Sequence, residues 1–190
     1  MLNEIPKLTR ATVVYMIDSE SRICLAQMKK AIHKDKATSE KERENKSDSG
    51  NVEQEQIEYS LGVWNGYGGK EIDTDESILH TAIRELEEES GVRAEMEDLE
   101  ECGTVNFYLK VKGDTPFMQV HFYILRKWQG DPIEGSEMGP ATFFGQENIP
   151  YNQMMPADKA LLERALAGKN IDSDVILMGK GEVPMVEWTS

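Results

Sequence analysis

The chain has 190 residues, with 21 Lys+Arg against 35 Asp+Glu and a formal net charge of −14; 39% of it is hydrophobic and 29% charged. That length fits one domain with a core of its own. The negative balance excludes broad binding to nucleic acid or to an anionic membrane, which needs an excess of cationic side chains. A small phosphate ligand stays open, because clustered carboxylates can recruit a divalent cation that reverses the local sign.

Two cysteines, Cys24 and Cys102, form neither a CxxC nor a zinc spacing, so a disulfide framework or a structural zinc site is not expected. Both lie in apolar runs and read as small buried hydrophobes. No apolar run reaches the roughly 18 residues of a membrane span. Met1–Pro6 lacks a basic stretch followed by an apolar one, so no signal peptide is read and the expected compartment is the cytoplasm.

In chain order, Ala11–Ile17 is a β-branched and aromatic run and predicts a buried strand. Asp18–Ser21 is a turn, and Ile23–Met28 predicts the second strand of a hairpin. From His33 to Glu58 the chain turns polar and charged, with too little apolar surface to offset the entropy of ordering; this predicts a solvated insertion. Leu61–Lys70 is aromatic and glycine-rich. Ile78–Glu89 has helical periodicity, with Ile78, Leu79, Ala82, Ile83 and Leu86 on one face, Asp73 as the expected cap with Glu76 three residues on, and Gly91 after the last turn. Val105–Val111 and Val120–Leu125 predict a hairpin across Lys112-Gly113-Asp114. Ala141–Phe144 predicts a short strand, Pro156–Ala167 a helix, and Val175–Met178 with Val183–Trp188 a terminal hairpin. The mixture predicts an α+β fold, an α/β/α sandwich with a mixed sheet between helices, as a single domain over 1–190.

The chemistry concentrates in Gly68-Gly69-Lys70, Glu76 and Arg84-Glu85-Leu86-Glu87-Glu88-Glu89-Ser90-Gly91-Val92. Glu85, Glu88 and Glu89 stand at i, i+3 and i+4 and share one helix face. Charge runs are usually just solvated. Here Arg84, the glycine turn before the helix and the terminating Gly91 accompany the carboxylates. Carboxylate oxygens beside a free carbonyl in a glycine loop suit a hard divalent cation that also holds substrate phosphates.

This stretch resembles the Nudix box, Gly-x5-Glu-x7-Arg-Glu-Φ-x-Glu-Glu-x-Gly-Φ with Φ aliphatic. From Glu76 to Val92 every defined position matches, while six residues instead of five separate Gly69 from Glu76. The extra residue reads as an insertion in the loop before the helix. Met28-Lys29-Lys30, Trp64–Lys70, Pro132–Met138 and Ile149–Tyr151 followed by Met155–Asp158 are similar to the mammalian-type oxidised purine nucleoside triphosphatase subgroup, which acts on 8-oxo-dGTP and 2-hydroxy-dATP. The similarity covers about residues 8–170, interrupted by the insertion.

The resemblance implies metal ligands at the Gly68 carbonyl, Glu85, Glu88, Glu89 and Glu137, with Mg²⁺ as the cofactor and Mn²⁺ as an alternative. It implies catalytic roles for Glu85, Glu88 and Glu89, with Glu88 or Glu89 as general base or bridging ligand, and an orienting ion pair from Arg84. It implies substrate contacts from Thr12, Lys29, Asn65, Tyr67, Gly68, Gly69, Lys70, Phe107, Met155 and Asp158, with Asn65 and Asp158 on the purine. The subgroup's second base-reading aspartate falls on Ala157 and its stacking tryptophan on Met155. Asn65 before a glycine could also favour a turn, and Asp158 could be a first-turn helix charge. His121, inside a strand, reads as a satisfied structural histidine.

Three readings follow. The first is a metal-dependent pyrophosphohydrolase of oxidised purine nucleoside triphosphates. The second is a Nudix hydrolase of another nucleoside diphosphate derivative: a nucleotide sugar, ADP-ribose or a dinucleoside polyphosphate. The third is a non-catalytic nucleotide-binding module. The expected partner is a small-molecule nucleotide, without nucleic acid or membrane, acting on a monomer or homodimer.

Overall fold

A computed structural model describes residues 8–29, 62–178 and 182–189. The polar stretch at 33–58 lies outside the described residues, and so does His33. Strands β1 (Thr9–Ile17), β2 (Ile23–Gln27), β3 (Trp64–Asn65), β4 (Leu99–Leu109), β5 (Met118–Leu125), β6 (Thr142–Phe144), β7 (Ser173–Leu177) and β8 (Met185–Trp188) form a mixed sheet, with helices α1 (Ile78–Ser90) and α2 (Asp158–Leu166). The strand order is β3-β2-β1-β5-β4-β7-β8, and β6 pairs with β2. β1/β5 and β4/β7 run parallel and the other pairs antiparallel.

Alternation along the strands divides the core in two. Val14 and Met16 of β1, Cys24 and Ala26 of β2 and Tyr123 and Leu125 of β5 pack with Ala82 and Leu86 of α1. Ala11, Tyr15 and Ile17, Leu25, Val120, Phe122 and Ile124 pack with Leu161, Leu162 and Ala165 of α2. The sheet is therefore sandwiched between the helices, as the α/β/α expectation has it.

Four details differ from the sequence reading. The cap of α1 is Ser77, whose hydroxyl accepts from the His80 N–H, and Gly91 closes the helix at φ 71° as expected. Ser77 immediately precedes the helix, within reach of its orphan N–H groups, whereas Asp73 is too far back. The buried stripe of α1 is Thr81, Ala82, Leu86, Glu89 and Ser90, while Ile78 and Ile83 are only half-buried. Glu89 thus falls on the core side of the helix, three residues after Leu86. β4 starts at Leu99 rather than Val105, its alternation hidden by a register shift between Glu101 and Gly103. Gly103 has φ 141°, and a Cβ there would lie 2.8 Å from Asp172 Oδ1, so the bulge needs glycine. α2 starts at Asp158 rather than Pro156.

Candidate active site

The loop before α1 is held on β1. The Thr12 N–H donates to the Gly69 carbonyl at 2.9 Å, Val14 and Tyr67 exchange backbone bonds, and Lys70 bridges Ala11. Gly68 has φ 154°, and a Cβ on it would stand 2.1 Å from the Thr12 carbonyl oxygen. At Gly69 a Cβ would meet the Glu85 carboxylate at 2.5–2.6 Å. These two glycines let strand, loop and helix close on one another, which seats Glu85 against the loop.

Arg84 organises the helix face. Its Nε and Nη2 each bond an Asp75 oxygen at 2.8 Å, Nη2 also reaches the Lys70 carbonyl at 3.1 Å, and Nη1 reaches Glu85 at 2.8 Å and Glu88 at 3.2 Å. The Asp75 side chain is 1% exposed and also accepts from the Ile72 N–H and the Thr81 hydroxyl. The Arg84 guanidinium holds the Asp75 carboxyl far below the usual carboxylate range. The acid gripping Arg84 is thus Asp75; Glu76 is exposed and only its backbone N–H is engaged, by the His80 ring. Asp75 stands at Gly69-x5-Asp, so the family's glycine-to-acid spacing is kept. The extra residue lies between the acid and Arg84, where the sequence match at Glu76 had hidden it.

Glu89 is buried, and its Oε2 accepts from the Gly68 N–H at 2.8 Å. Burial pushes its carboxyl up to about 8, with the Gly68 bond opposing and the charges of Glu85, Glu137 and Glu88 adding to the rise. Glu85 is raised as well, chiefly by burial, with Arg84 pulling down and Glu88 and Glu137 pushing up. Glu88 is exposed beyond its Arg84 contact. Among the described residues no three carboxylates have already converged into a metal-holding group. The donor set nevertheless fits a hard divalent cation: all oxygen, mutually repelling, two of its carboxyls raised by burial and by one another's charge, and set beside a backbone turn.

Glu137 reaches this region on the loop over 132–139. That loop is pinned to the end of α1 by Ile133 N–H to the Ser90 carbonyl at 2.9 Å. It is pinned to β2 by Lys29 N–H to the Glu137 carbonyl at 2.7 Å and Gly139 N–H to the Gln27 carbonyl at 2.8 Å. A Cβ on Gly135 would sit 2.6 Å from the Glu89 carbonyl oxygen. The Lys29 ammonium pairs with Glu134 and donates to the Gly135 carbonyl at 3.0 Å.

The other residues with implied roles fall into two groups. Phe107 is half-buried on the α2 side of the sheet, in the same apolar cluster as Trp64, Met118, Phe144 and Tyr151. Trp64 meets Phe144 edge-on at 5.0 Å. Asp158 is buried at the start of α2, where its Oδ2 accepts from the half-buried Met155 N–H at 3.0 Å; burial raises its carboxyl to about 7. Asn65, half-buried on β3, accepts from its own neighbour Gly66 at 2.8 Å and points its amide nitrogen at the Met28 sulfur, 3.9 Å away. Thr12 and Tyr67 are instead on the α1 side and fully enclosed, Thr12 1% exposed and Tyr67 0%. Alternation gives the α2 side of β1 to Val13 and Tyr15.

The profile described as the NUDIX domain matches residues 43–169. The chain belongs to the Nudix family. Two relatives, both named oxidized purine nucleoside triphosphate hydrolase, match over 100 residues, 53% of this chain: the protein of Danio rerio at 38% identity and that of Mus musculus at 35%. This Nudix chain spans 60% of the length of either relative over that match. Among solved structures, a MutT protein from Bacillus halodurans aligns over 94% of this chain and 97% of its own, with a TM-score of 0.65 at 18% identity. A NUDIX hydrolase from Nitrosomonas europaea aligns over 92% and 81%, with a TM-score of 0.62 at 15% identity. These two share the fold. Among the described residues no helix is long and apolar enough to cross a membrane.

Proposed function

We propose that this Nudix chain is a metal-dependent pyrophosphohydrolase of purine nucleoside triphosphates, with oxidised purines such as 8-oxo-dGTP as preferred substrates, releasing the monophosphate and pyrophosphate. The observation that carries the reaction class is the face of Glu85, Glu88 and Glu89 on α1, with Arg84 locked by Asp75 and the Gly68–Gly69 turn closed on the carboxylates. The substrate class is supported by the two relatives named oxidized purine nucleoside triphosphate hydrolase.

Glu85, Glu89, Glu88, Glu137 and the Gly68 carbonyl would hold the cation, Mg²⁺ with Mn²⁺ as a substitute. When bound, the cation neutralises phosphate oxygens and lowers the pKa of water. The chain's own residues do the rest. Arg84 fixes Glu85 and limits the rotamers of Glu88. Glu88, the most exposed of the three, is free to take a proton from water, with Glu89 the alternative base. Lys29, within a side chain's reach of the Glu137 loop, offers a cation to phosphate oxygens. On the α2 side, Phe107 offers a ring face to the base, and Asp158 and Asn65 offer polar groups to its edge. With a pKa near 7, the Asp158 carboxyl can donate as well as accept.

A second reading, a hydrolase of another nucleoside diphosphate derivative, is favoured by Ala157 and Met155. An alanine offers no polar group to a base edge, and a methionine gives looser apolar contact than a tryptophan ring. In either reading the substrate is a small nucleotide, the compartment the cytoplasm, and the acting form a monomer or homodimer. A substrate panel decides between them: ordinary dNTPs, 8-oxo-dGTP, 2-hydroxy-dATP, ADP-ribose and dinucleoside polyphosphates, each with Mg²⁺, Mn²⁺ or EDTA, followed by release of pyrophosphate and phosphate. Fastest turnover of an oxidised purine triphosphate, with pyrophosphate as product, supports the first reading. Turnover confined to ADP-ribose or dinucleotides supports the second. No metal-dependent turnover of any substrate leaves the non-catalytic module.

A further inference from the structure

Two polar atoms beneath the catalytic loop are buried without a hydrogen-bond partner among the described residues: Thr12 Oγ1 and His121 Nε2. They are register neighbours, Thr12 of β1 lying directly beside His121 of parallel β5. Paired residues of adjacent strands project to the same face. Here it is the α1 side, where Val14 of β1 and Tyr123 of β5 also point. On the far side of His121, Thr104 of β4 is its antiparallel partner, and its hydroxyl lies 3.1 Å from Nδ1. With Nδ1 turned to β4, the ring places Nε2 outward from the sheet and on the side of Thr12.

An orphaned hydroxyl and an orphaned ring nitrogen on paired residues each carry the cost of a desolvated, unsatisfied polar group. Buried polar atoms in native proteins are met by protein or by ordered water. We propose that Thr12, His121 and Thr104 form an internal site for one structural water, bound between Thr12 Oγ1 and His121 Nε2. The ring is neutral at pH 7, since burial lowers its pKa. The Thr104 hydroxyl donates to Nδ1, Nε2–H donates to the water, and the water donates to Thr12 Oγ1. Every member of the row then has a partner.

The position gives the site a consequence. The Thr12 backbone N–H holds the Gly69 carbonyl, and its carbonyl oxygen is what Gly68 closes against. The water tethers the side chain of the residue whose backbone carries the loop under Glu85 and Glu89. It does not depend on which nucleotide is hydrolysed.

A crystal structure of the whole chain, at a resolution that shows ordered waters, tests this directly. One water within hydrogen-bonding distance of both Thr12 Oγ1 and His121 Nε2 is expected. A direct bond between the two atoms, or a dry contact, overturns the proposal. Thr12→Ser keeps the hydroxyl and should keep the water, and Thr12→Val should lose it; a water that stays in the valine variant overturns the proposal too. In solution, ¹⁵N shifts of the imidazole should show the Nε2–H tautomer in the wild type and in Thr12→Ser. An Nδ1–H tautomer contradicts the assigned chain of donors, and this measurement stands even if the valine variant does not fold.

Discussion

Arg84 grips Asp75 through two nitrogens, Nε on one carboxylate oxygen and Nη2 on the other, both at 2.8 Å. The fork leaves Nη1 for Glu85 and Glu88, so one guanidinium ties the entry loop of α1 to two of the carboxylates on its face. A planar, bidentate donor fixes direction as well as charge, which a lysine could not do here.

Asp75→Asn should therefore lower both stability and turnover. Arg84 keeps Glu85 and Glu88 but loses its bidentate partner, and the asparagine leaves one Arg84 N–H facing an amide donor, at a cost of about 1–3 kcal/mol. Arg84, no longer held in direction, should let Glu85 and Glu88 shift with it, and kcat should fall by about tenfold or more. Glu76→Gln should do neither, because its side chain is exposed. Urea unfolding and steady-state kinetics on the two variants separate the roles. A larger loss in Glu76→Gln than in Asp75→Asn would show that Asp75 is not the acid that orients Arg84.

The two glycines of the turn should behave differently on gaining a methyl. At Gly68 the added carbon meets backbone, the Thr12 carbonyl oxygen, at a φ that side chains avoid. Gly68→Ala should destabilise by several kcal/mol or fail to fold. At Gly69 the atoms nearest the added carbon are those at the end of the Glu85 side chain. Gly69→Ala should fold nearly normally and lose activity, as Glu85 is pushed out of its seat. Equal melting temperatures for the two variants would show that the loop does not close on β1 as described.

Glu85→Gln, Glu88→Gln and Glu89→Gln should each reduce kcat by orders of magnitude, and EDTA should abolish turnover. Glu89→Gln should also raise stability slightly without metal, since it removes a buried, repelled carboxyl while an amide can still accept from the Gly68 N–H. Near-normal kcat in all three, or full activity in EDTA, would falsify the metal-hydrolase proposal.

Much of this site was legible in the sequence because helix periodicity is rigid. Glu85, Glu88 and Glu89 share a face wherever α1 points, and Gly91 closes it. What pattern alone leaves open depends on neighbours. Asp75 and Glu76 differ by one position in a loop, where no periodicity decides which carboxyl turns inward. Thr12 and Val13 differ by one position in a strand, which reverses the face of the sheet. Tyr67 is bridged to Val14 of β1 and packs in the cluster under α1, which makes it core. The start of β4 was hidden because the bulge at Gly103 breaks the alternation that marks a strand.

Asp158 carries a pH dependence whose sign follows from its burial. Its folded pKa of about 7 lies above the ordinary aspartate value of 3.8, so the folded chain binds the proton more tightly than the unfolded chain. Its contribution is present at low pH and lost as the pH rises from about 4 through about 7. Across that window the carboxyl should remove up to about 4 kcal/mol of stability. Asp158→Asn removes the titration and keeps an oxygen to accept from the Met155 N–H. The variant should be more stable than the wild type at pH 8, and the two should converge near pH 4. Substrate ranking is the second readout. An amide presents one fixed donor and one acceptor where a carboxyl can switch, so the order of 8-oxo-dGTP, 2-hydroxy-dATP and unmodified purines should change. If stability converges as expected but every substrate slows equally, Asp158 is a buried helix-start residue and does not read the base; the oxidised-purine preference would then need Asn65 and Phe107 alone to support it.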